Sequence, residues 1–491
     1  MTASTPNTTP EVAVRRLTTG LVALGILSLT LYTTVFRLMA DAPLFMPGFY
    51  MYPPMWALYF TAVYLVWRYR ATPLPRRQVV ALTVGAGALF RLALVTSPVP
   101  VNSDIVRYLW EGKVLLAGIN TYIAPPVSPV YDGLRARLYA EGDNNWDWLF
   151  PKANVIYGAD PTTGIKRWMS LADIRDTYGV AASALFAIPT VLGLDGQPAT
   201  RLIMTAFDVG SCVLLLLLLV RLKRNPLWAL VYCWSPLVID SFADQGHVDA
   251  PMLFFIILTM LLLTTGRRPT AGLAFALALG MKVSPLLLFI PFVRLGGKRF
   301  VLVFAVAMSI LYWPMFVAGP HGADGLAAMA NYWRDNDSIY SLLWALLNGG
   351  LGIADPDRLA RKILMVAWVG YALWRGLRRQ ADTPQGMIES VAYITTAGML
   401  LTPAAYPWYG TTLVACLCFV PSPALLLLTM SLMQCFLLSV LAQLPRLPAW
   451  IWDLCLRYPE PYRWIGYLPV YALLVVEWIR WLKAGRPTRE L

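Results

Sequence analysis

Charge is what this sequence has least of. Only 14% of its 491 residues are Asp, Glu, Lys or Arg, while 58% are hydrophobic, against the roughly 25% charge of an ordinary soluble domain. So little charge cannot cover a water-facing surface, which makes bilayer the expected solvent. No CxxC pair is present, and the six cysteines (Cys212, Cys233, Cys416, Cys418, Cys435, Cys455) lie in or beside apolar runs, so neither a disulfide framework nor a zinc site is indicated. They read as packing residues. No Gly-rich phosphate loop follows a strand, which removes the usual sign of a nucleotide-binding domain. The short alternating strands of an outer-membrane barrel are missing too, since stretches such as Val213 to Val220 are continuously apolar. The first apolar run, Leu17 to Met39, follows Arg15 and Arg16 without a small-residue cleavage site near its end, and is expected to be a retained helix.

What is present is a series of apolar runs of about 16 to 25 residues, the length a helix needs to cross a ~30 Å hydrocarbon core. They must be helices, because lipid offers no partner to an open strand. The expectation is an all-α polytopic protein, a single bundle of about 12 to 14 spans over residues 1–491. The spans fall near 17–39, 53–68, 78–95, 201–220, 226–242, 250–265, 270–281, 284–294, 299–317, 361–377, 387–403, 406–420, 423–443 and 466–482. The formal charge of +13 could point to nucleic acid, but the basic residues gather in clusters between apolar runs (Arg68/Arg70/Arg76/Arg77, Arg221/Lys223/Arg224, Arg267/Arg268, Arg294/Lys298/Arg299, Arg375/Arg378/Arg379, Arg480/Lys483/Arg486/Arg489), as topology determinants do. Nucleic acid is not expected as a partner.

All of these clusters face the cytoplasm only if Tyr178 to Leu194 does not cross the bilayer, so it is read as a re-entrant or interfacial helix. Residues 96–200 then form an extracytoplasmic loop. Its polar part, Thr96 to Thr177, carries Asp104, Glu111, Asp132, Glu141, Asp143, Asp147, Asp160, Asp173 and Asp176, and a segment this long without a span of its own is usually functional or disordered. Trp110, Trp146, Trp148, Tyr157 and Trp168 argue that it is folded. The pair 270–281 and 284–294 is short for two full spans and has Gly280, Lys282 and Pro285 at its tip, as a helical hairpin entering from the cytoplasm would.

Candidate chemistry begins in this loop. Asp104, Arg107, Tyr108 and Glu111 are spaced by three and four, so a helix places them on one face. Either Asp104 caps a salt-bridged helix start, or the stripe is functional, as carboxylates at a membrane boundary tend to be. Asp240 to Asp249 gathers Asp244, Gln245, His247 and Asp249. This is no recognised metal-ligand spacing, and a turn that positions a ligand fits better. Lys282 either snorkels or meets an anion such as a lipid-linked phosphate. Arg334, in Tyr332-Trp333-Arg334-Asp335-Asn336-Asp337, is a comparable cation whose Asp neighbours could satisfy it. Tyr406, Trp408 and Tyr409 could be an interfacial aromatic belt, stack on a sugar or line a lipid groove.

Together these segments resemble the GT-C glycosyltransferases, nearest to family 87 and the bacterial mannosyltransferase-like members. The likeness is carried by Ser103-Asp104 with Arg107-Tyr108-Leu109-Trp110-Glu111-Gly112 and Gly118-Ile119-Asn120, by Asp173 to Tyr178, by Gln245 to Asp249, by Lys282 with Pro285, and by Pro403 with Tyr406-Pro407-Trp408-Tyr409. It departs from the family at Ile105, where a second acid is common, at Thr121, where proline follows Gly-Ile-Asn, and at Tyr178-Gly179-Val180, where Tyr-Pro-Pro is usual.

The resemblance implies a membrane-embedded hexosyltransferase of the bacterial inner membrane with its site facing outward. It would move a mannose-like sugar from a polyprenyl-phosphate donor to a lipid or glycan acceptor, with inversion. Asp104 falls on the proposed catalytic aspartate. Arg107, Tyr108, Glu111, Tyr178, Gln245, His247, Asp249, Lys282, Arg334, Tyr406, Trp408 and Tyr409 are the expected donor-phosphate and substrate contacts. No cofactor or metal is called for beyond the lipid-linked co-substrate, because cations such as Lys282 and Arg107 can stabilise a leaving phosphate. A lipid flippase would share the many helices, the broken hairpin and the intramembrane lysine, but the acidic loop and the lack of a repeated half count against it. A polymerase or ligase of lipid-linked glycans would use a pyrophosphate-linked donor instead.

Overall fold

The computed structural model describes residues 9–41, 46–95, 103–140, 173–194, 196–436 and 462–483. Among these residues the protein is helical, and its one β-type pairing is an isolated bridge between Asp335 and Ala404. The all-α polytopic class stands. By length and composition, four helices can cross a bilayer, Pro10–Thr34, Arg76–Val95, Gln197–Arg221 and Arg463–Lys483, and a fifth span is a bent pair, Pro226–Cys233 with Pro236–Asp244, at 55°. The remaining expected spans are shorter, interrupted, less apolar or reach beyond the described residues. Trp146, Trp148, Tyr157, Trp168, Asp143, Asp147, Asp160 and Cys455 also lie outside them.

Contacts divide the chain into two units, one made of Met1–Ala93, Leu215–Ile239 and Arg334–Leu491, the other of Leu94–Leu214 and Asp240–Trp333. In the first unit, the bent span breaks at Pro236, which has no N–H to continue the helix. An unmet carbonyl in hydrocarbon costs several kcal/mol. The break survives because the Val231 carbonyl accepts from the Tyr59 hydroxyl at 2.6 Å and the Cys233 carbonyl from Arg91 at 2.7 Å. The helix Pro423–Ser431 is capped in a similar way: Glu477 accepts from the Ser422 hydroxyl at 2.8 Å and from the Ala424 amide at 3.0 Å, meeting donors that a helix start leaves open.

The second unit is built on Asp249–Thr264, Arg268–Met281 and Phe289–Leu311. The expected hairpin is there. Arg268–Met281 spans about 21 Å at 1.5 Å per residue, less than a bilayer core, and ends at Lys282, whose backbone is extended (φ −156°). The chain returns through Ser284–Leu288. The return helix is broken at Gly297 (φ 63°, ψ −163°), which is why the sequence reads as two runs, 284–294 and 299–317. Phe275, Phe300 and Phe304 fill the hairpin, with Phe300 and Phe304 nearly parallel.

The loop segment has a core of its own. Ser103–Leu116 buries Val106, Trp110 and Val114 against Ala124, Tyr131 and Leu134, and Trp110 meets Tyr131 edge-on at 5.4 Å. Val180–Val191 holds two short helices and reaches about 18 Å, well under the ~30 Å of a hydrocarbon core. Ser103–Leu116 packs on Val180–Phe186 so closely that a Cβ on Gly112 would lie 2.5 Å from the Phe186 carbonyl.

Candidate active site

Asp104 sits in the first turn of Ser103–Leu116 rather than ahead of it. Its neighbours split the expected four-residue stripe into two rows. Asp104 and Tyr108 share one row and face the turn after Asp240–Asp244: the Asp104 carboxylate lies 3.5 Å from His247 Nδ1, and the Tyr108 hydroxyl accepts from the Val248 amide at 3.4 Å. Gly246 holds this turn at φ +68°, and a Cβ there would lie 2.9 Å from Ile105, so glycine is required on both counts. Two residues beyond His247, Asp249 binds Lys282 Nζ through both oxygens at 3.1 and 3.0 Å. A carboxylate, an imidazole, a phenol and a carboxylate–ammonium pair thus meet at one turn.

Exposure ranks these groups. The Asp104 side chain is 24% exposed, whereas His247 is 3% exposed; Lys282 is 16% exposed and Asp249 1%. Burial, and secondarily the Lys282 charge, push the His247 pKa well below the usual value. That favours the neutral imidazole, whose approach to Asp104 at 3.5 Å is a polar contact rather than a strong ion pair.

Arg107 and Glu111 form the other row. Arg107 Nε pairs with Glu111, both nearly fully buried, and Arg107 Nη1 donates to the Ile174 carbonyl at 3.0 Å. Burial pushes the Glu111 carboxyl up to about 8; the Arg107 charge draws it down, and the Asp176 carboxylate adds to the rise. Asp176 is itself raised by burial. It accepts from the Thr121 hydroxyl at 2.6 Å, the Tyr178 amide at 2.8 Å and the Ser183 hydroxyl at 3.3 Å. Thr121, where proline would be usual in the resembling family, has a use here as an Asp176 donor. Tyr178 meets Tyr108 edge-on at 5.4 Å, and Phe186 stacks flat on Tyr108 at 4.3 Å.

Gln245 donates to Asp244 at 3.4 Å. Asp244 is held by Arg201 at 3.1 Å, and Arg201 also donates to the carbonyls of Leu94 at 2.6 Å and Ala243 at 3.0 Å. Sequence reasoning did not single out Arg201 or Asp176 as site residues. Arg201 did carry a signal, since a buried arginine at the first position of an expected span calls for a partner. Among the described residues no three His, Cys, Asp or Glu side chains converge in a way that could hold a metal ion.

Arg334, Tyr406, Trp408 and Tyr409 belong to the first unit. Arg334 is satisfied by Asp357 at 3.3 Å and lies over the rings of Tyr340 and Trp344. The adjacent aspartates, which could have served it, pair with Arg463, Asp337 at 3.2 Å and Asp335 at 3.8 Å. Tyr406 and Trp408 are stacked at 4.6 Å, with Tyr409 edge-on to both. Their segment is fixed by Asp335, which donates to the Pro403 carbonyl and accepts from the Ala405 amide, each at 2.9 Å. Of the five cysteines among the described residues, four are buried and Cys435 is half-buried.

No curated protein and no solved structure matches the chain. Residues 177–403 match the model of glycosyltransferase family 87, a stretch that includes Tyr178, the His247 turn, the Lys282 hairpin and Arg334, and begins beyond the Asp104 helix. This match covers just under half of the chain and, together with the all-helical membrane fold, makes the chain similar to the membrane glycosyltransferases of the GT-C type.

Proposed function

We propose that the chain transfers a mannose-like hexose from a polyprenyl-phosphate donor to a lipid or glycan acceptor at the extracytoplasmic face of a bacterial inner membrane, with inversion at the anomeric carbon. The observation that carries this reading is the pairing, at one turn, of a partly exposed carboxylate beside His247 with an ammonium held by Asp249. The acceptor oxygen forms its bond to the anomeric carbon as its proton passes to Asp104. The bond from that carbon to the phosphate oxygen breaks, and its electron pair leaves with the phosphate. The developing negative charge falls to Lys282, whose side chain is mostly buried.

Arg107 takes a supporting part in this scheme, because its donors go to Glu111 and Ile174 and it is almost fully buried. His247, neutral and inside the turn, holds the Asp104 carboxylate in place.

Incubating the purified protein with radiolabelled sugars on polyprenyl monophosphate and on polyprenyl pyrophosphate tests the donor class. Consumption of the monophosphate donor alone is expected. Consumption of the pyrophosphate donor alone would make the chain a polymerase or ligase, and passage of intact donor across vesicles without consumption would make it a flippase.

A further inference from the structure

At one end of the first unit, the turn after Met46–Arg68, the turn after Gln197–Arg221 and the connection before Pro423–Ser431 enclose a cavity of about 280 Å³. Arg70, Arg224 and Asn225 supply its polar lining, and Trp228, Cys418 and Phe419 are among its apolar residues. The volume is several times the roughly 30 Å³ a water occupies, enough for a phosphate group with part of its ester.

Three features give this cavity a defined shape. Asn225 Nδ2 donates to the Arg70 carbonyl at 2.9 Å, and its Oδ1 accepts from the Leu227 amide at 2.9 Å, so one side chain ties two turns together. Arg70 donates to the Trp67 carbonyl at 3.2 Å and lies over the Trp67 ring at 5.5 Å, which fixes its guanidinium while using one of its five donors on the carbonyl. The third feature is Lys223, in the left-handed region at φ 56°. The Gln197–Arg221 helix closes with Arg224 donating to Leu219 and Lys223 donating to Val220, the pattern in which the left-handed position is ordinarily glycine. A non-glycine residue accepts backbone strain there, and the turn so formed presents Arg224 and Asn225 to the cavity.

We infer that this cavity is a binding site for a phosphate oxyanion, separate from the sugar-transfer site and filled by the headgroup of an anionic phospholipid. Two arginines and two aromatic rings lining one cavity at the ends of membrane helices match the charge and the amphipathic character of such a headgroup. Both arginines belong to basic clusters that the charge pattern puts at the cytoplasmic surface, where anionic lipid is in reach. The inference does not depend on which sugar, donor or acceptor the enzyme uses.

The test is a titration of the purified protein in zwitterionic phosphatidylcholine nanodiscs containing increasing phosphatidylglycerol, read as thermal stability, with inorganic phosphate as a parallel titrant. Wild type should show a saturable rise in Tm with phosphatidylglycerol. Arg70→Gln and Arg224→Gln should each weaken the half-saturation point by about tenfold or more, the worth of a charge-assisted hydrogen bond. Arg224→Lys should recover part of it, and Arg76→Gln, which leaves this cavity intact, should not move it. An equal response to millimolar inorganic phosphate, lost in the same variants, would support the oxyanion site and make its source a soluble phosphate. A Tm rise of the same size and midpoint in wild type and both Gln variants would overturn the site. So would the absence of any rise with either titrant.

Discussion

At the residue scale, the separation of Asp104 from its fellow acids matters most. Asp249, Asp176 and Glu111 are each buried and tied to a cation or to hydroxyl and amide donors, whereas Asp104 keeps a quarter of its side chain exposed beside His247. A base must reach a proton on an incoming hydroxyl, and of the carboxylates at this turn it is the one with access. Asp104→Asn should therefore fold and bind donor while losing about 10²–10⁴-fold in turnover. A variant within a fewfold of wild type would move the base elsewhere. Lys282 is tested differently, because Lys282→Met strands the buried Asp249 carboxylate at a cost of roughly 3–5 kcal/mol. The double variant Lys282→Met with Asp249→Asn removes that penalty. If Lys282 binds phosphate, the double variant should regain wild-type stability yet still bind donor weakly; donor affinity restored along with stability would return the lysine to a structural role.

The candidate site was legible in sequence to different depths. Asp104, His247, Asp249 and Lys282 stood out because ionisable groups at membrane boundaries are rare enough to be noticed singly. Their partners did not. Spacing placed Asp104, Arg107, Tyr108 and Glu111 on one face, but only the tertiary packing divides them, sending Asp104 and Tyr108 to the His247 turn and Arg107 with Glu111 to the Asp176 segment. Arg334 shows the same limit: its neighbours in sequence look like its partners, and the true partner, Asp357, arrives from the start of another helix.

At the scale of elements, the site depends on how closely Ser103–Leu116 and Val180–Phe186 approach. Phe186 stacks on Tyr108, and the hydroxyl of Tyr108 reaches the His247 turn, so the helix–helix distance sets the position of the turn relative to Asp104. Gly112 permits that distance, since a Cβ there would press into the backbone of Phe186 and Ala187. Gly133, in Asp132–Ala140, has nothing within 4 Å of a built Cβ. The same substitution should therefore act with opposite signs. Gly112→Ala is expected to destabilise by about 1–3 kcal/mol, as overpacking does, and to lower turnover by moving Tyr108. Gly133→Ala should stabilise by up to about 1 kcal/mol, from helix propensity alone. Thermal unfolding of the two variants beside wild type decides it, and a neutral Gly112→Ala would show that the packing can relax without consequence. The hairpin and the short helices were readable from apolar run lengths and Pro285, whereas the break at Gly297 came only with the structure. The contact between Ser103–Leu116 and Val180–Phe186 was not readable either, because it rests on a glycine that leaves no mark in the hydrophobic pattern.

At the scale of the whole molecule, the surplus of Lys and Arg that gives the chain its charge of +13 is a statement about orientation. Basic clusters recur after spans and before the next ones, and such clusters stay cytoplasmic. They can all do so only if Tyr178 to Leu194 fails to cross, and the helices Val180–Phe186 and Ile188–Val191 are together about 18 Å long, too short for a ~30 Å core. The loop that holds Asp104 is then expected on the side opposite Arg299. A cysteine placed at Asp132, which is exposed, in a background with the six native cysteines replaced, should react in intact cells with a membrane-impermeant maleimide. One placed at Arg299, also exposed, should react only once the membrane is opened. The reverse pattern would place Asp104 and Lys282 in the cytoplasm, where a sugar can be supplied directly from a nucleotide, and would remove the reason for a lipid-linked donor; labelling of both positions from outside would mean that Tyr178 to Leu194, or another short segment, crosses after all.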